Sequence, residues 1–419
     1  MLFLNLLKES FLFAINALKV NRLRTLLTLL GITIGIFAII SVFTILDSLE
    51  NTIRTSLSSL GDDILYIQQR PWGPDADGEY KWWEYEQRPV PSLTDYEQIK
   101  KKSDNTELVN FGASVLRTIK YKSNTRENTI IWANTHEFEQ VRSFDLAEGR
   151  YFTPFESKAG KNVCIIGHEI AKNLFLGQNP TGKQIKIQGK KTLVIGVFTK
   201  EGVDILRGGG SLDEIIILPI LYAKKLMDIE SPMTNPYIMV KAKPEVSLDA
   251  LKDELRGIIR TSRALSPRRK DNFAINQSSM LDSFFDSIFS VINLAGWFIG
   301  GFSILVGGFG IANIMFVSVK ERTNLIGIQK SLGAKRKFIL MQFLFEAVML
   351  SLIGGAIGLI LIFIGSLIAS SKIELEISLT LGNILLGLLI SIAIGLISGI
   401  FPSYKAARLN PVEAINTTF

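Results

Sequence analysis

Cysteine and histidine are nearly absent from this sequence of 419 residues, which holds one cysteine and two histidines. The single cysteine, Cys164, excludes an intrachain disulfide and a cysteine-based zinc site. His136 and His168 do not occur in a metal-binding spacing such as His-Glu-x-x-His. We interpret the segment around Cys164 and His168 as a strand followed by a helix, with Cys164 in the core. No metal site is therefore expected.

A basic excess is also missing from the middle of the chain. The net charge is +7, and residues 1–46 carry four basic and one acidic residue while residues 287–419 carry nine and five. Residues 47–286 are therefore neutral overall. Because a nucleic-acid-binding protein concentrates cations on a soluble domain, no nucleic-acid partner is expected.

Long apolar runs, in contrast, are abundant. The chain is 47% hydrophobic and has a mean hydropathy of +0.28, which is high for a soluble enzyme. Each of four uncharged runs is long enough to cross a membrane. The runs are Thr25–Leu46, Ser287–Val319, Ala347–Ser371 and Ile377–Tyr404. The second run would measure about 50 Å as a helix, so we expect it to extend beyond the bilayer as a stalk.

Short loops rich in Lys and Arg predict the orientation, because such loops resist translocation. Basic residues cluster before the first run, between the second and third, and after the fourth. This distribution predicts a multi-pass membrane protein with both termini in the cytoplasm. The fold class is then an α-helical membrane protein with four transmembrane helices and an extracytoplasmic mixed α/β domain between helices 1 and 2.

The predicted organisation follows the chain in eight segments. They are a cytoplasmic amphipathic N-terminal helix (1–24), transmembrane helix 1 (25–46), the extracytoplasmic domain with stalk ends (47–286), transmembrane helix 2 with its stalk (287–319), a cytoplasmic loop (320–337), transmembrane helix 3 (338–371), transmembrane helix 4 (377–404) and a cytoplasmic tail (405–419).

Within residues 47–286, β-branched and alternating runs predict short strands, and two stretches have helical spacing. The strands are Val163–Ile166, Gln184–Ile187, Leu193–Val197, Ile215–Leu218 and Tyr237–Val240, and the helices are Glu169–Leu176 and Leu248–Ile259. A turn-rich insertion at 71–91 carries Trp72, Trp82 and Trp83. We expect its aromatic side chains to pack on their own domain, and contact with a partner is the alternative.

Each apolar run contains a Gly-x-x-x-Gly pair, which allows close helix packing in lipid. The pairs are Gly31 with Gly35, Gly296 with Gly300, Gly354 with Gly358, and Gly395 with Gly399. The frequency of glycine in membrane helices is the alternative explanation. Glu346 is an ionisable residue in apolar sequence, and two roles stay open for it: structural anchoring, with pairing to a basic neighbour, or function.

A phosphate-binding loop is the one enzyme motif that the sequence partly matches, at Gly177–Lys183. Gln184 stands where Ser or Thr would bind magnesium, and Pro180 removes an amide donor. A plain turn is therefore favoured. No catalytic, cofactor-binding or metal residue is predicted, and the chain is not expected to be an enzyme.

The cytoplasmic loop has the sequence KERTNLIGIQKSLGAKRK. Leu325, Ile328 and Leu332 form an apolar stripe at helical spacing, and Gly333 is a natural stop. A short basic amphipathic helix of this kind is suited to dock on a cytosolic partner or to rest on anionic membrane lipid.

The segment ERTNLIGIQKSLGAKRKFILMQFLFEAVMLSLIGG resembles the permease signature of the MacB/FtsX-like family of ABC transporters. The ending FPSYKAARLNPVEAI resembles the family's C-terminal pattern, and EGRYFTPFE, VCIIG and LFLGQNPTGKQIKI resemble its outer domain. The likeness covers nearly the whole chain. Asn324, Leu325 and Gln329 depart from the usual residues of this signature.

The resemblance implies a homodimeric permease of the bacterial inner (plasma) membrane, driven by a separate cytosolic ATPase subunit that would bind ATP and magnesium. It implies that the loop couples to this ATPase through Glu321, Arg322, Leu325, Gly327, Ile328, Lys330, Leu332 and Gly333. The expected function is mechanical transmission for export of peptides, antibiotics or other small molecules, with a periplasmic adaptor and an outer-membrane channel. The alternatives are a lipoprotein-releasing permease and a regulator of cell-wall hydrolases.

Overall fold

The computed structural model describes residues 22–416 apart from 59, 74–78, 143, 202–210 and 373–376. Residues 1–21, which were expected to form most of an amphipathic helix, lie outside the described residues. So does most of the turn between the third and fourth apolar runs. Two compact units are formed, residues 1–50 with 288–419 (the membrane unit) and residues 51–287 (the inserted domain).

The described helices are α1 (Arg22–Ser58), α2 (Trp82–Tyr85), α3 (Leu93–Lys102), α4 (Phe138–Val141), α5 (Pro154–Ala159), α6 (His168–Phe175), α7 (Ile220–Ala223), α8 (Leu248–Ser262), α9 (Ser278–Glu321), α10 (Thr323–Ser331), α11 (Arg336–Lys372), α12 (Leu381–Arg408) and α13 (Pro411–Asn416). The described strands are β1 (Ile64–Gln68), β2 (Thr106–Tyr121), β3 (Asn124–Asn134), β4 (Leu146–Gly149), β5 (Val163–Ile166), β6 (Gln184–Ile187), β7 (Lys190–Phe198), β8 (Ile215–Pro219), β9 (Tyr237–Ala242) and β10 (Ala274–Asn276).

Helices α1, α9, α11 and α12 are long and apolar enough to cross a membrane. The predicted fold class, four membrane helices with a mixed α/β domain between the first two, is confirmed. Helices α1 and α9 are longer than the uncharged runs because both continue into charged sequence. There Arg54 of α1 and Asp286 of α9 form an ion pair at 2.6 Å.

Apolar side chains from all four long helices form the core of the membrane unit. Gly395 shows how closely its helices approach, because a Cβ atom at this position of α12 would lie 2.6 Å from the Val348 Cα of α11. Of the other predicted packing glycines, Gly35, Gly296, Gly300, Gly354, Gly358 and Gly399 also face a neighbouring helix, whereas a Cβ at Gly31 would meet no described atom within 4 Å.

The ten described strands of the inserted domain form one mixed sheet in the order β10-β1-β9-β2-β3-β8-β5-β7-β4, with β6 pairing to β2 and β7. The β3–β8 and β5–β7 pairs are parallel, and the other pairs are antiparallel. The predicted strands and helices of this domain are present, with ends within a few residues of those expected. Helix α8 buries Leu251, Leu255 and Ile259, the single stripe that its spacing predicts.

The insertion at 71–91 is only partly packed on its own domain. Trp72 lies against Tyr66, with ring centroids 4.9 Å apart, and Tyr85 is fully buried. Trp82 and Trp83 remain 61% and 51% exposed. The predicted packing of the aromatic side chains on their own domain is therefore observed for Trp72 but not for Trp82 and Trp83.

A capping box in the inserted domain yields a pH-dependence prediction. The Thr153 hydroxyl accepts from the Glu156 backbone N–H at the start of α5, and the Glu156 carboxylate accepts from the Thr153 backbone N–H. Hydrogen bonds from Arg150 lower the pKa of Glu156 to about 2, from an ordinary value of 4.5. The stabilisation should be complete above about pH 4.5 and disappear as the pH falls toward 2.

We therefore expect Glu156→Gln to destabilise the full chain by about 1 kcal/mol at pH 7 and to weaken the dependence of stability on pH below 5. Tryptophan fluorescence during thermal unfolding in detergent measures both effects. Glu148→Gln removes an exposed carboxylate from the adjacent β4 strand and serves as the control. Equal pH profiles for wild type and Glu156→Gln would contradict this assignment.

Candidate functional site

The connection between α9 and α11 folds into the short helix α10 because two residues break the long helices on either side. Arg322, at φ −103°, separates α9 from α10. Gly333 has φ +96°, a left-handed conformation that L side chains rarely adopt, and it ends the connection's helix. Nine of the ten residues between these breaks form α10, and Leu332 caps its C-terminal end.

One face of α10 is apolar and exposed. Leu325 and Ile328 of α10, with Leu332 directly after its end, form a stripe that we call the α10 stripe, and they are 58%, 42% and 84% exposed. The opposite face holds Ile326 and Gly327, which are buried. Since apolar side chains on a charged helix normally turn inward, this outward stripe is a candidate docking surface.

The buried face of α10 packs on α13, the last described helix of the chain. A Cβ at Gly327 would lie 2.9 Å from the Ala414 side chain and 3.0 Å from that of Ile415. The Asn324 side-chain amide also donates to the Ile415 carbonyl at 3.1 Å. Two small residues, Gly327 and Ala414, thus allow the two helices to touch.

Lys330 attaches α10 to the end of α12. Its Nζ donates to the Ala407 carbonyl at 2.9 Å and to the Leu409 carbonyl. These carbonyls belong to the negative end of the α12 dipole, which favours a cation. Partial burial, together with the nearby Arg336 charge, lowers the pKa of Lys330.

Arg322 attaches the α9–α10 corner to α11. Its guanidinium donates to the Glu346 carboxylate at 3.2 Å. Glu346 is only 3% exposed. Of the two roles left open for Glu346, the structure shows pairing with a basic neighbour, and that neighbour is a predicted coupling residue.

The structure thus brings together most of the residues predicted for coupling. Arg322, Gly327 and Lys330 fix α10 to its neighbours, and the α10 stripe faces outward. Glu321 ends α9 and Gly333 terminates the connection. The contribution of α13 was not predicted. The sequence signal for this contact was Ala414 in the C-terminal motif, a small residue that can pack closely against another small residue such as Gly327.

Two further segments that were weighed for chemistry in the sequence lie in the inserted domain. Residues 177–183 form a turn in which Lys183 Nζ donates to Gln178 Oε1 at 3.1 Å. Cys164 is fully buried in β5, and burial raises the pKa of its thiol. Among the described residues, no group of three His, Cys, Asp or Glu side chains could hold a metal ion.

Comparison with known families assigns both halves of the chain. A model described as a MacB-like periplasmic core domain matches residues 25–258, and an FtsX-like permease C-terminal model matches residues 297–411. The chain belongs to the MacB/FtsX-like permease family. The residues of the candidate site up to Pro411 fall within the FtsX-like permease match, and the resemblance noted in the sequence is confirmed.

Curated relatives in this family include the macrolide export ATP-binding/permease protein MacB of Bdellovibrio bacteriovorus, 30% identical over 96% of this chain and 60% of that protein. The pyoverdine export ATP-binding/permease protein PvdT of Pseudomonas syringae pv. tomato is 28% identical over 95% of this chain and 58% of that protein. The chain therefore spans about 60% of the length of these relatives.

A solved structure, the periplasmic region of MacB from Actinobacillus actinomycetemcomitans, is 15% identical and covers 55% of this chain and 95% of that one, with a TM-score of 0.44. The family assignment and the four apolar helices identify this chain as a multi-pass membrane protein of the permease type.

The burial of the Arg322–Glu346 ion pair predicts the effect of removing the Arg322 guanidinium. Arg322→Ala would leave the Glu346 carboxylate buried without its guanidinium, and breaking such a pair costs about 3–5 kcal/mol. Because Arg322 is itself 23% exposed, we expect the lower end of this range. A large fall in the unfolding temperature in detergent should follow.

Replacing both partners by apolar residues of similar size, Arg322→Met with Glu346→Leu, should recover most of the lost stability because no charge then remains buried. If Arg322→Ala melts like the wild type, or if the double variant is no better than the single one, the pair does not hold the α9–α10 corner in place.

Proposed function

We propose that this chain is the permease subunit of an ABC transporter and that α10 is the helix on which a separate cytosolic ATPase acts. The observation that carries the proposal is the two-faced character of α10. Its α10 stripe is exposed, while its other face is fixed to α11, α12 and α13 through Arg322, Lys330 and Gly327. A force applied to the stripe would therefore move the ends of several membrane helices together.

The predicted orientation, with both termini in the cytoplasm, supports this assignment because it places α10 on the side where ATP is available. Basic residues in the short connections support that orientation. ATP and magnesium would bind to the ATPase, and this chain would supply no catalytic group. The inserted domain would then lie in the periplasm.

The proposed action is mechanical. Closure of the ATPase pair would displace α10 and, through the α9–α10 corner, the helix α9. Helix α9 has 44 residues and would measure about 66 Å, more than twice the thickness of a hydrocarbon core. A second copy of the permease would complete the transporter, since four helices are few for a substrate path.

Export is the direction that the relatives support, because two of them are named for export of macrolides and of pyoverdine. We propose that the substrates are peptides, antibiotics or other small molecules, passed to a periplasmic adaptor and an outer-membrane channel. Lipoprotein release and regulation of cell-wall hydrolases are the alternative functions within the family.

The α10 stripe gives the direct test. Leu332 is 84% exposed, so Leu332→Asp removes almost no internal packing. An aspartate in an apolar interface without a partner should weaken ATPase binding about tenfold or more. ATP hydrolysis by the complex purified through this chain from its native membrane measures the effect.

Leu176→Asp is the matched control, because Leu176 is a similarly exposed leucine, at 73%, in the inserted domain. It should leave hydrolysis at the wild-type rate. The proposal is wrong if the wild-type chain purifies without an ATP-binding polypeptide, or if Leu332→Asp and Leu176→Asp give the same rate.

A further inference from the structure

Helix α13 has an apolar face that the packing of the membrane unit leaves partly exposed. Val412 and Ile415 are 68% and 39% exposed, whereas Ala414 between them is buried against α10. At 100° per residue, Val412 and Ile415 lie on the same side of the helix, three positions apart. We call this pair the α13 face.

The α13 face adjoins the α10 stripe. Asn324, which donates to the Ile415 carbonyl, lies four residues before Ile328, so the two occupy neighbouring positions on the surface of α10. Ile415 also contacts the Gly327 side of α10. The exposed apolar surface therefore continues from the α10 stripe onto α13.

The charges around this surface favour a water-soluble protein as its binding partner over the acyl chains of lipids. Lys335, Arg336, Lys337 and Arg408 are exposed at the adjacent ends of α11 and α12. The cations of Lys405 and Arg408 lie over aromatic rings near the end of α12, with Arg408 4.6 Å from the Tyr404 ring centre. Aromatic residues with nearby cations are typical of a membrane–water interface, and α13 begins a few residues after them in the sequence.

We propose that the α13 face is the second half of the ATPase docking surface, so that the partner binds α10 and α13 together. This rests on the proposed function. The fitting partner surface is an apolar groove with an acidic rim, which would complement the two apolar patches and the surrounding cations. The C-terminal motif then serves two purposes, packing through Ala414 and docking through Val412 and Ile415.

Site-specific photo-crosslinking in the native membrane tests the proposal and needs no assumption about which polypeptide is the partner. A benzophenone amino acid is placed at Val412, at Leu332 and, as a control, at Leu176 in three versions of the full chain. Crosslinked products are purified through this chain and identified by mass spectrometry. We expect positions 412 and 332 to capture the same polypeptide, one that contains a complete phosphate-loop motif, and position 176 not to capture it.

The outcomes separate this proposal from the function on which it rests. Capture of the ATP-binding polypeptide from 332 but not from 412 would overturn the α13 assignment and leave the proposed function standing. A product at 412 that contains only lipid or a second copy of this chain would do the same. If neither position captures an ATP-binding polypeptide, the proposed function fails and this inference fails with it.

A substitution at the same position provides a second measurement. Val412 is the second residue of α13, where an acidic side chain favours the helix dipole, so Val412→Asp should not unfold the helix. It should reduce the ATPase retained with the purified chain about tenfold, whereas Val412→Ile, which keeps an apolar contact, should retain it. Equal retention by the two variants would contradict docking at this face.

Discussion

The burial of one carboxylate fixes the geometry of the candidate site. Glu346 lies in an apolar helix and is almost completely buried, so it requires a cation within the membrane unit. Arg322 supplies that cation from the corner where α9 ends and α10 begins. Because the corner cannot move away from α11 without separating the pair, the position of α10 depends on this ion pair.

The length of α10 makes such attachments necessary. A helix of nine residues is too short to be stable alone in water, so its stability must come from contacts with the rest of the protein. The Gly327–Ala414 contact and the Lys330 bonds to the end of α12 supply them. Both act on the face opposite the α10 stripe. The three apolar side chains of the stripe therefore stay exposed, as is typical of a binding surface.

Sequence patterns predicted the features that depend on local periodicity. Uncharged runs located the four membrane helices, and the spacing of Leu325, Ile328 and Leu332 with Gly333 predicted a short helix whose apolar stripe the structure places in solvent. The predicted strands at Val163–Ile166 and Gln184–Ile187 have the observed ends, since short β-branched runs between turns leave few alternatives.

Two kinds of feature were not predicted, a local turn without the usual signal and contacts between residues distant in sequence. Strands β2 and β3 form a long hairpin whose turn at Lys122 lacks the Asn-Gly or Asp-Gly signal, and the buried run Val109–Ala113 interrupts the alternation in β2. The Arg322–Glu346 pair joins residues 24 positions apart, and the Gly327–Ala414 contact joins residues much farther apart. A single sequence shows the residue types, but the fold decides which of them meet.

Close packing within the membrane unit also joins α9 to α1. Helix α9 contains no proline and is continuous over 44 residues. Within the membrane unit, Gly296 and Gly300 of α9 lie against Val42 and Ile39 of α1. A Cβ atom at Gly300 would overlap the Ile39 Cδ1, so a larger side chain there would force the two helices apart, whereas a Cβ at Gly296 would meet Val42 at an ordinary van der Waals distance.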